Sequence, residues 1–182
     1  MASNTPGDLR ILGRLRIAGD TGAVRIEDRL DARIDDLWSA LTDSARLAQW
    51  HAQVDGDLRP GGVFRIYLEA DDWEGTGRVE ACEPPRRFVV RTRESDESWR
   101  KGQGVAPFDE LIEVTLTADG AQTVLVVDVS GLPIEPIAFY GTGWQIHVEN
   151  LAAHLAGRQR ADAESRWGEL VPAYQALASE IG

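Results

Sequence analysis

Residues 34–50 read Ile34-Asp35-Asp36-Leu37-Trp38-Ser39-Ala40-Leu41-Thr42-Asp43-Ser44-Ala45-Arg46-Leu47-Ala48-Gln49-Trp50. Ile34, Leu37, Trp38 and Leu41 fall at i, i+3, i+4 and i+7, which is one apolar face of a short helix. Asp35 and Asp36 lie in its first turn, where negative charge complements the helix dipole. Asp43 is placed to cap a second short helix running through Leu47 towards Trp50. On this reading Trp38 and Trp50 are core positions, and Trp38 is expected to be largely buried.

On either side the period changes to two. Leu9, Ile11, Leu15 and Ile17 are interleaved with Arg10, Arg14 and Arg16, and after a turn at Gly19 to Gly22 the alternation resumes through Val24, Ile26 and Leu30. That is a hairpin. Beyond the helices, the turn signal Arg59-Pro60-Gly61-Gly62 opens a run of strand-like segments: Val63 to Glu69, Trp73 to Glu83, Arg87 to Arg93, Phe108 to Thr117 and Gln122 to Ser130. Pro84-Pro85 and Ala118-Asp119-Gly120 punctuate them as hairpins require. The polar stretch from Glu94 to Pro107 reads as a long, solvated loop.

From Gly143 the helical period returns. Trp144, Val148, Leu151 and Leu155 form a stripe that Gly157 can end. A second stripe runs through Trp167, Leu170, Val171, Tyr174, Leu177 and Ile181, with Pro172 inside it; this predicts a kink or two short helices. The order is two strands, two short helices, about six strands, a long helix and a helical tail. Sequential strands joined by tight turns favour an antiparallel sheet, and the one-sided helix must cover it, giving an α+β domain with room for a cavity.

Composition limits what such a domain does. The chain has 182 residues, enough for one ordinary domain spanning 1–182, with 30 acidic against 19 basic residues and a net charge of −11. That balance argues against nucleic acid, which demands a basic face, and against anionic membranes. The single cysteine, Cys82, excludes an internal disulfide and fits a reducing compartment. The N-terminus lacks an apolar stretch of signal-peptide length, and no segment reaches ~20 continuous apolar residues. A soluble, cytoplasmic protein is expected.

The segments quoted above resemble a family. Ile34 to Asp43, followed by Arg46-Leu47-Ala48-Gln49-Trp50, is similar to the signature of the Hsp90-ATPase-activator-like (AHSA1-type) branch of the START-like (SRPBCC) superfamily, which includes Bet v 1 and the polyketide cyclases. Arg59-Pro60-Gly61-Gly62-Val63-Phe64, Gly77-Arg78-Val79-Glu80 with Pro84-Pro85-Arg86-Arg87-Phe88, and Gly143-Trp144 leading to Leu151 and Leu155 extend the match. It covers roughly residues 23–157 and leaves 158–182 as a helical tail. The resemblance implies the helix-grip fold, a curved antiparallel sheet wrapped around a long C-terminal helix beside a hydrophobic cavity.

Candidate chemistry is sparse. His147 and His154 are separated by about 10.5 Å along a helix axis, so they are badly placed to share one metal ion, and no cysteine pair or His-Glu-x-x-His motif occurs. No metal and no cofactor are expected. Cys82 has no adjacent base and reads as structural. Gly75-Thr76-Gly77 and Gly141-Thr142-Gly143 lack the third glycine of a dinucleotide fingerprint; the first reads as a strand bend and the second as a helix start. Glu69, Asp71, Asp72 and Glu74 surround Trp73 at a turn and read as solvated.

The long helix is more informative. His147 shares the apolar face with Trp144, Val148 and Leu151. If that face borders a cavity, these four residues, with Tyr140 near one end, are the candidate ligand-binding set, although helical direction alone does not place Tyr140. A histidine in such a position also serves as a satisfied core residue. Catalytic residues are unassigned. The expected partner is a small hydrophobic or aromatic molecule. The alternatives are a polyketide cyclase or aromatase-like enzyme using the same cavity, or an Hsp90-type co-chaperone module. The first strand is expected within about ten residues of the start, so the additional domain of the eukaryotic co-chaperone is not expected and that role ranks last. A homodimer is left open.

Overall fold

The computed structural model describes residues 9–68, 73–94 and 107–181. The first hairpin is β1 (Gly13–Ala18) and β2 (Thr21–Leu30), followed by α1 (Ile34–Thr42) and α2 (Ser44–Trp50). Six strands follow: β3 (Gln53–Gly56), β4 (Val63–Leu68), β5 (Trp73–Glu83), β6 (Arg87–Glu94), β7 (Asp109–Asp119) and β8 (Gln122–Leu132). Two helices, α3 (Ile137–Leu155) and α4 (Ala163–Ile181), end the chain. The strands form one eight-stranded sheet in the order β1-β2-β8-β7-β6-β5-β4-β3, antiparallel at every pairing. This is the α+β helix-grip architecture.

The topology explains the short helices. β2 lies second in the sheet and β3 lies at the opposite edge, so the chain must cross the concave face between them. α1 and α2 make that crossing. The Asp43 side chain accepts from the Ala45 and Arg46 amides at 2.9 and 3.1 Å, capping α2 as expected. Arg46 reaches back to Asp36 at 2.8 Å, and the buried Trp50 indole donates to the Ala40 carbonyl at 2.9 Å, fixing one helix to the other.

The two-residue period sorts each strand into faces. In β8, Leu125, Val127 and Val129 are buried in the concave face. On the opposite face, guanidinium–carboxylate pairs tie neighbouring strands: Arg25–Asp128 at 2.6 Å, Arg87–Glu113 at 2.6 Å, Arg91–Glu80 at 3.1 Å and Arg93–Asp109 at 2.8 Å.

α3 lies on the concave face through Ile137, Ala138, Gly141, Gln145, Val148 and Leu151. Gln145 is fully buried, and all its hydrogen-bonding capacity is used. Its amide donates to the Arg10 carbonyl and to Glu149, both at 2.8 Å. Its Oε1 accepts from the Leu12 amide at 3.0 Å and from the Tyr174 hydroxyl at 2.7 Å. One side chain thus joins the N-terminal segment, α3 and α4. Arg166 adds a forked pair to Glu149, at 2.8 and 2.7 Å, between α4 and α3.

Several sequence expectations change here. α3 begins at Ile137, six residues before Gly143, so Gly141-Thr142-Gly143 lies inside the helix and does not start it. Gly141 serves close approach, whereas Gly143 has room for a side-chain carbon. A Cβ on Gly141 would lie 2.5 Å from the Tyr174 ring and 2.9 Å from Leu15, and one on Gly143 would meet Trp167 at 3.8 Å. α4 runs unbroken through Pro172 as one helix. Regular pairing of the first strand starts at Gly13, because the Leu12 amide is taken by Gln145. β3, four residues long, has too few residues to show a period. Trp38 is half-buried, packed edge-on against Phe88 with ring centres 5.8 Å apart. The Glu69, Asp71 and Asp72 part of the acidic cluster, and most of the expected loop from Glu94 to Pro107, lie outside the described residues.

Gly141→Ala weighs helix propensity against packing. Alanine favours the helix by about 1 kcal/mol, whereas the new methyl group meets a Tyr174 ring that is fully buried and hydrogen-bonded. Overpacking of this kind costs about 1–3 kcal/mol, so the clash outweighs the propensity gain. Chemical denaturation should show a net loss of stability; a gain would mean that α4 yields freely.

Candidate functional site

The apolar face of α3 does not fill the concavity of the sheet. Val148 and Leu151 look into a chamber of ≈ 170 Å³ whose other walls include Leu47 and Trp50 of α2, Phe64 of β4, Phe88 and Val90 of β6, and Val114 of β7. The chamber owes part of its space to a missing side chain. Gly77 on β5 is the register partner of Phe64, whose ring lies flat across it, and a Cβ there would come within 2.2 Å of the ring. Gly77 therefore serves a close ring approach. Cys82 also lines the chamber. Burial raises its thiol pKa, so it is a protonated wall residue at neutral pH, in keeping with the structural reading.

A second compartment of ≈ 550 Å³ adjoins the first. Its walls carry Trp73 from β5, Phe139, Tyr140 and Trp144 from α3, and Trp167 from α4, together with Glu110 and Glu164. His51, Ile66, Thr92, Ile112, Trp144 and His147 line both spaces and mark the passage between them. The five residues expected from the sequence are thus divided. Val148 and Leu151 belong to the inner chamber, Trp144 and His147 to the passage, and Tyr140 to the outer compartment, where it packs edge-on against Phe108 at 5.8 Å.

The passage is where polar groups converge. His51, at the end of α2, lies edge-on to His147 of α3 with ring centres 4.6 Å apart. Trp50 stacks on His51 at 5.0 Å, and Trp144 packs edge-on against His147 at 5.6 Å. The Nδ1 of His51 is sealed from solvent and has no hydrogen-bond partner. Burial, and secondarily the neighbouring His147, hold the His51 pKa well below its ordinary value, so this imidazole is neutral at pH 7. Thr92, itself buried, donates to Glu110 at 2.9 Å.

Sequence reasoning missed His51 and Thr92. Thr92 carries a faint signal, as the polar residue continuing the inward alternation of Phe88 and Val90. His51 carries none, because its meeting with His147 is made only by the fold. Among the described residues, no group of three or more His, Cys, Asp or Glu is placed to hold a metal ion.

The His51 environment has a consequence for stability. The unfolded chain takes up a proton near pH 6.5 that the folded chain resists, so stability falls as pH drops below about 6.5, by up to about 1.4 kcal/mol per pH unit until the folded pKa is reached. His51→Phe keeps a ring on Trp50 and removes the titration. Its unfolding free energy should therefore vary less between pH 7 and 5.5 than that of the parent. Parallel curves over that range would contradict a suppressed His51 pKa.

The geometry has counterparts among known proteins. The family model described as activator of Hsp90 ATPase homolog 1-like protein matches residues 31–156. No match was found among curated proteins. Among solved structures, CalU16 from Micromonospora echinospora is 27% identical with a TM-score of 0.71, over 91% of this chain and 96% of that one. DynU16, a protein of the dynemicin biosynthetic locus, is 28% identical with a TM-score of 0.65, over 80% of this chain and 51% of that one. EF2215 from Enterococcus faecalis shares the fold at 19% identity and a TM-score of 0.66, over 91% of each chain. With its helix-grip sheet and a match through most of its length, the chain belongs to the activator of Hsp90 ATPase homolog 1-like family of the START-like superfamily.

Proposed function

We propose that this protein binds a small hydrophobic or aromatic molecule in the space between the curved sheet and α3. The observation that carries this reading is the inner chamber, walled almost throughout by apolar side chains and bounded on one side by the His51–His147 passage. Apolar walls supply affinity by removing ligand surface from water, at about 25 cal/mol per Å². A few polar groups at one end fix orientation. Trp144, His147, Val148 and Leu151 are the α3 residues that would touch the ligand, with Tyr140 further out. The likeness to DynU16, from a biosynthetic locus, supports a small-molecule role. Among the described residues, no helix is long and apolar enough to cross a membrane, and together with the single cysteine we take the site of action to be the cytoplasm.

A second reading is favoured by one specific feature. His51 and His147 meet at the passage, where a polar ring pair faces an otherwise apolar space and could orient or exchange a proton with a bound molecule. The same cavity could then direct a cyclase-like reaction on a bound chain. Binding comes first in either case.

Leu151 is 1% exposed and faces the chamber from the C-terminal part of α3. Leu151→Trp should project its extra ring into that space, so the variant should melt cooperatively yet bind N-phenyl-1-naphthylamine at least tenfold more weakly than the parent. Equal fluorescence titrations would place binding outside the chamber. A parent protein that neither binds the probe nor carries a co-purified apolar molecule in native mass spectrometry would refute the reading.

A further inference from the structure

α4 lies beyond the residues that match the family, yet it forms one wall of the outer compartment. Its one aromatic contribution is Trp167, 40% exposed, which lies nearly parallel to the 45% exposed Phe139 of α3, with ring centres 6.1 Å apart and an interplanar angle of 16°. Two large aromatic side chains left this exposed, side by side and continuous with a cavity, form an apolar patch of the kind that marks a binding surface. The patch is held firmly. α4 is fixed to α3 by the Arg166–Glu149 fork and by the buried Tyr174–Gln145 hydrogen bond on the same helix.

We propose that the outer compartment receives an uncharged fused-ring aromatic group and that Trp167 is a specificity-determining residue of the site. This rests on the binding function proposed above and names the class of ligand.

Three features point to that class. The first is the wall itself. Trp73, Phe139, Tyr140, Trp144 and Trp167 surround one space, and the outer face of a parallel ring stack is extended by another flat ring. An alkyl chain gains buried area there but none of the additional attraction between aromatic faces and edges. The second is charge. Glu110 and Glu164 line this compartment, and among its described lining residues there is no lysine or arginine to receive a carboxylate or phosphate. The third is the division of space. The outer compartment, at ≈ 550 Å³, is the roomier of the two, while the inner chamber of ≈ 170 Å³ suits a smaller apolar appendage. A ligand with a broad ring system outside and a small apolar part inside would run alongside the contacting His51–His147 pair.

The test uses two probes and two variants of the full chain. 1-Pyrenemethanol, a neutral four-ring alcohol, is titrated by fluorescence, and decan-1-ol, with no ring, by calorimetry. Trp167→Ala should weaken pyrenemethanol at least fivefold and change decanol by less than twofold, while Leu151→Trp should weaken decanol at least fivefold. Trp167 is exposed enough for the alanine variant to fold, which a thermal melt checks. If Trp167→Ala weakens both probes equally, or neither, while the parent binds decanol, the aromatic subsite is wrong and the cavity reading stands. If the parent binds neither probe, both fail. A parent dimer that Trp167→Ala converts to a monomer, with probe binding unchanged, would reassign the patch to self-association and overturn the proposal.

Discussion

A single buried amide organises the end of the molecule that matters most. Gln145 has two hydrogens to donate and two lone pairs to accept with, and each is matched, to Arg10, Glu149, Leu12 and Tyr174. Leaving any of them unmatched in the interior would cost about 1–3 kcal/mol, so the three chain segments that meet at Gln145 cannot shift independently. This satisfied junction sets where α4 lies on α3. The position of α4 in turn decides whether Trp167 faces the outer compartment.

The two compartments divide the physical work. The inner chamber offers area without direction, since dispersion and burial are indifferent to orientation. The passage offers direction, through an imidazole pair and a threonine whose hydroxyl is already committed to Glu110. The passage is poorly solvated, which keeps His51 neutral, and a neutral ring can accept or donate one hydrogen bond without the cost of burying a charge.

How much of this is legible in the sequence depends on range. The 3.6-residue spacing of Ile34, Leu37, Trp38 and Leu41, and of Trp144, Val148 and Leu151, reveals which face of a helix turns inward, because that information is local. The alternation in β2 and β8 does the same for the sheet. The start of α3 is hidden because glycines usually interrupt helices; here Gly141 and Gly143 are inside one, and the reason for Gly141 sits on α4 and β1. Trp38 falls short of full burial although it lies on the apolar stripe, because the stripe does not reveal how deep the neighbouring core is at each position. The His51–His147 contact joins residues from α2 and α3 that share no local pattern, so only the folded chain reveals it.

The ring of Phe64 lying over Gly77 has an evolutionary implication. The position of one wall of the inner chamber depends on an atom that is absent, since any β-carbon at Gly77 must displace the Phe64 ring. The direction of displacement open to a ring lying between a strand and a void is into the void. A single nucleotide change that replaces this glycine with alanine would therefore shrink the chamber while leaving the hydrogen-bond ladder of β4 and β5 in register. Cavity size in such a protein can drift in steps of one methyl group, on a timescale of point mutations, without the sheet having to be rebuilt.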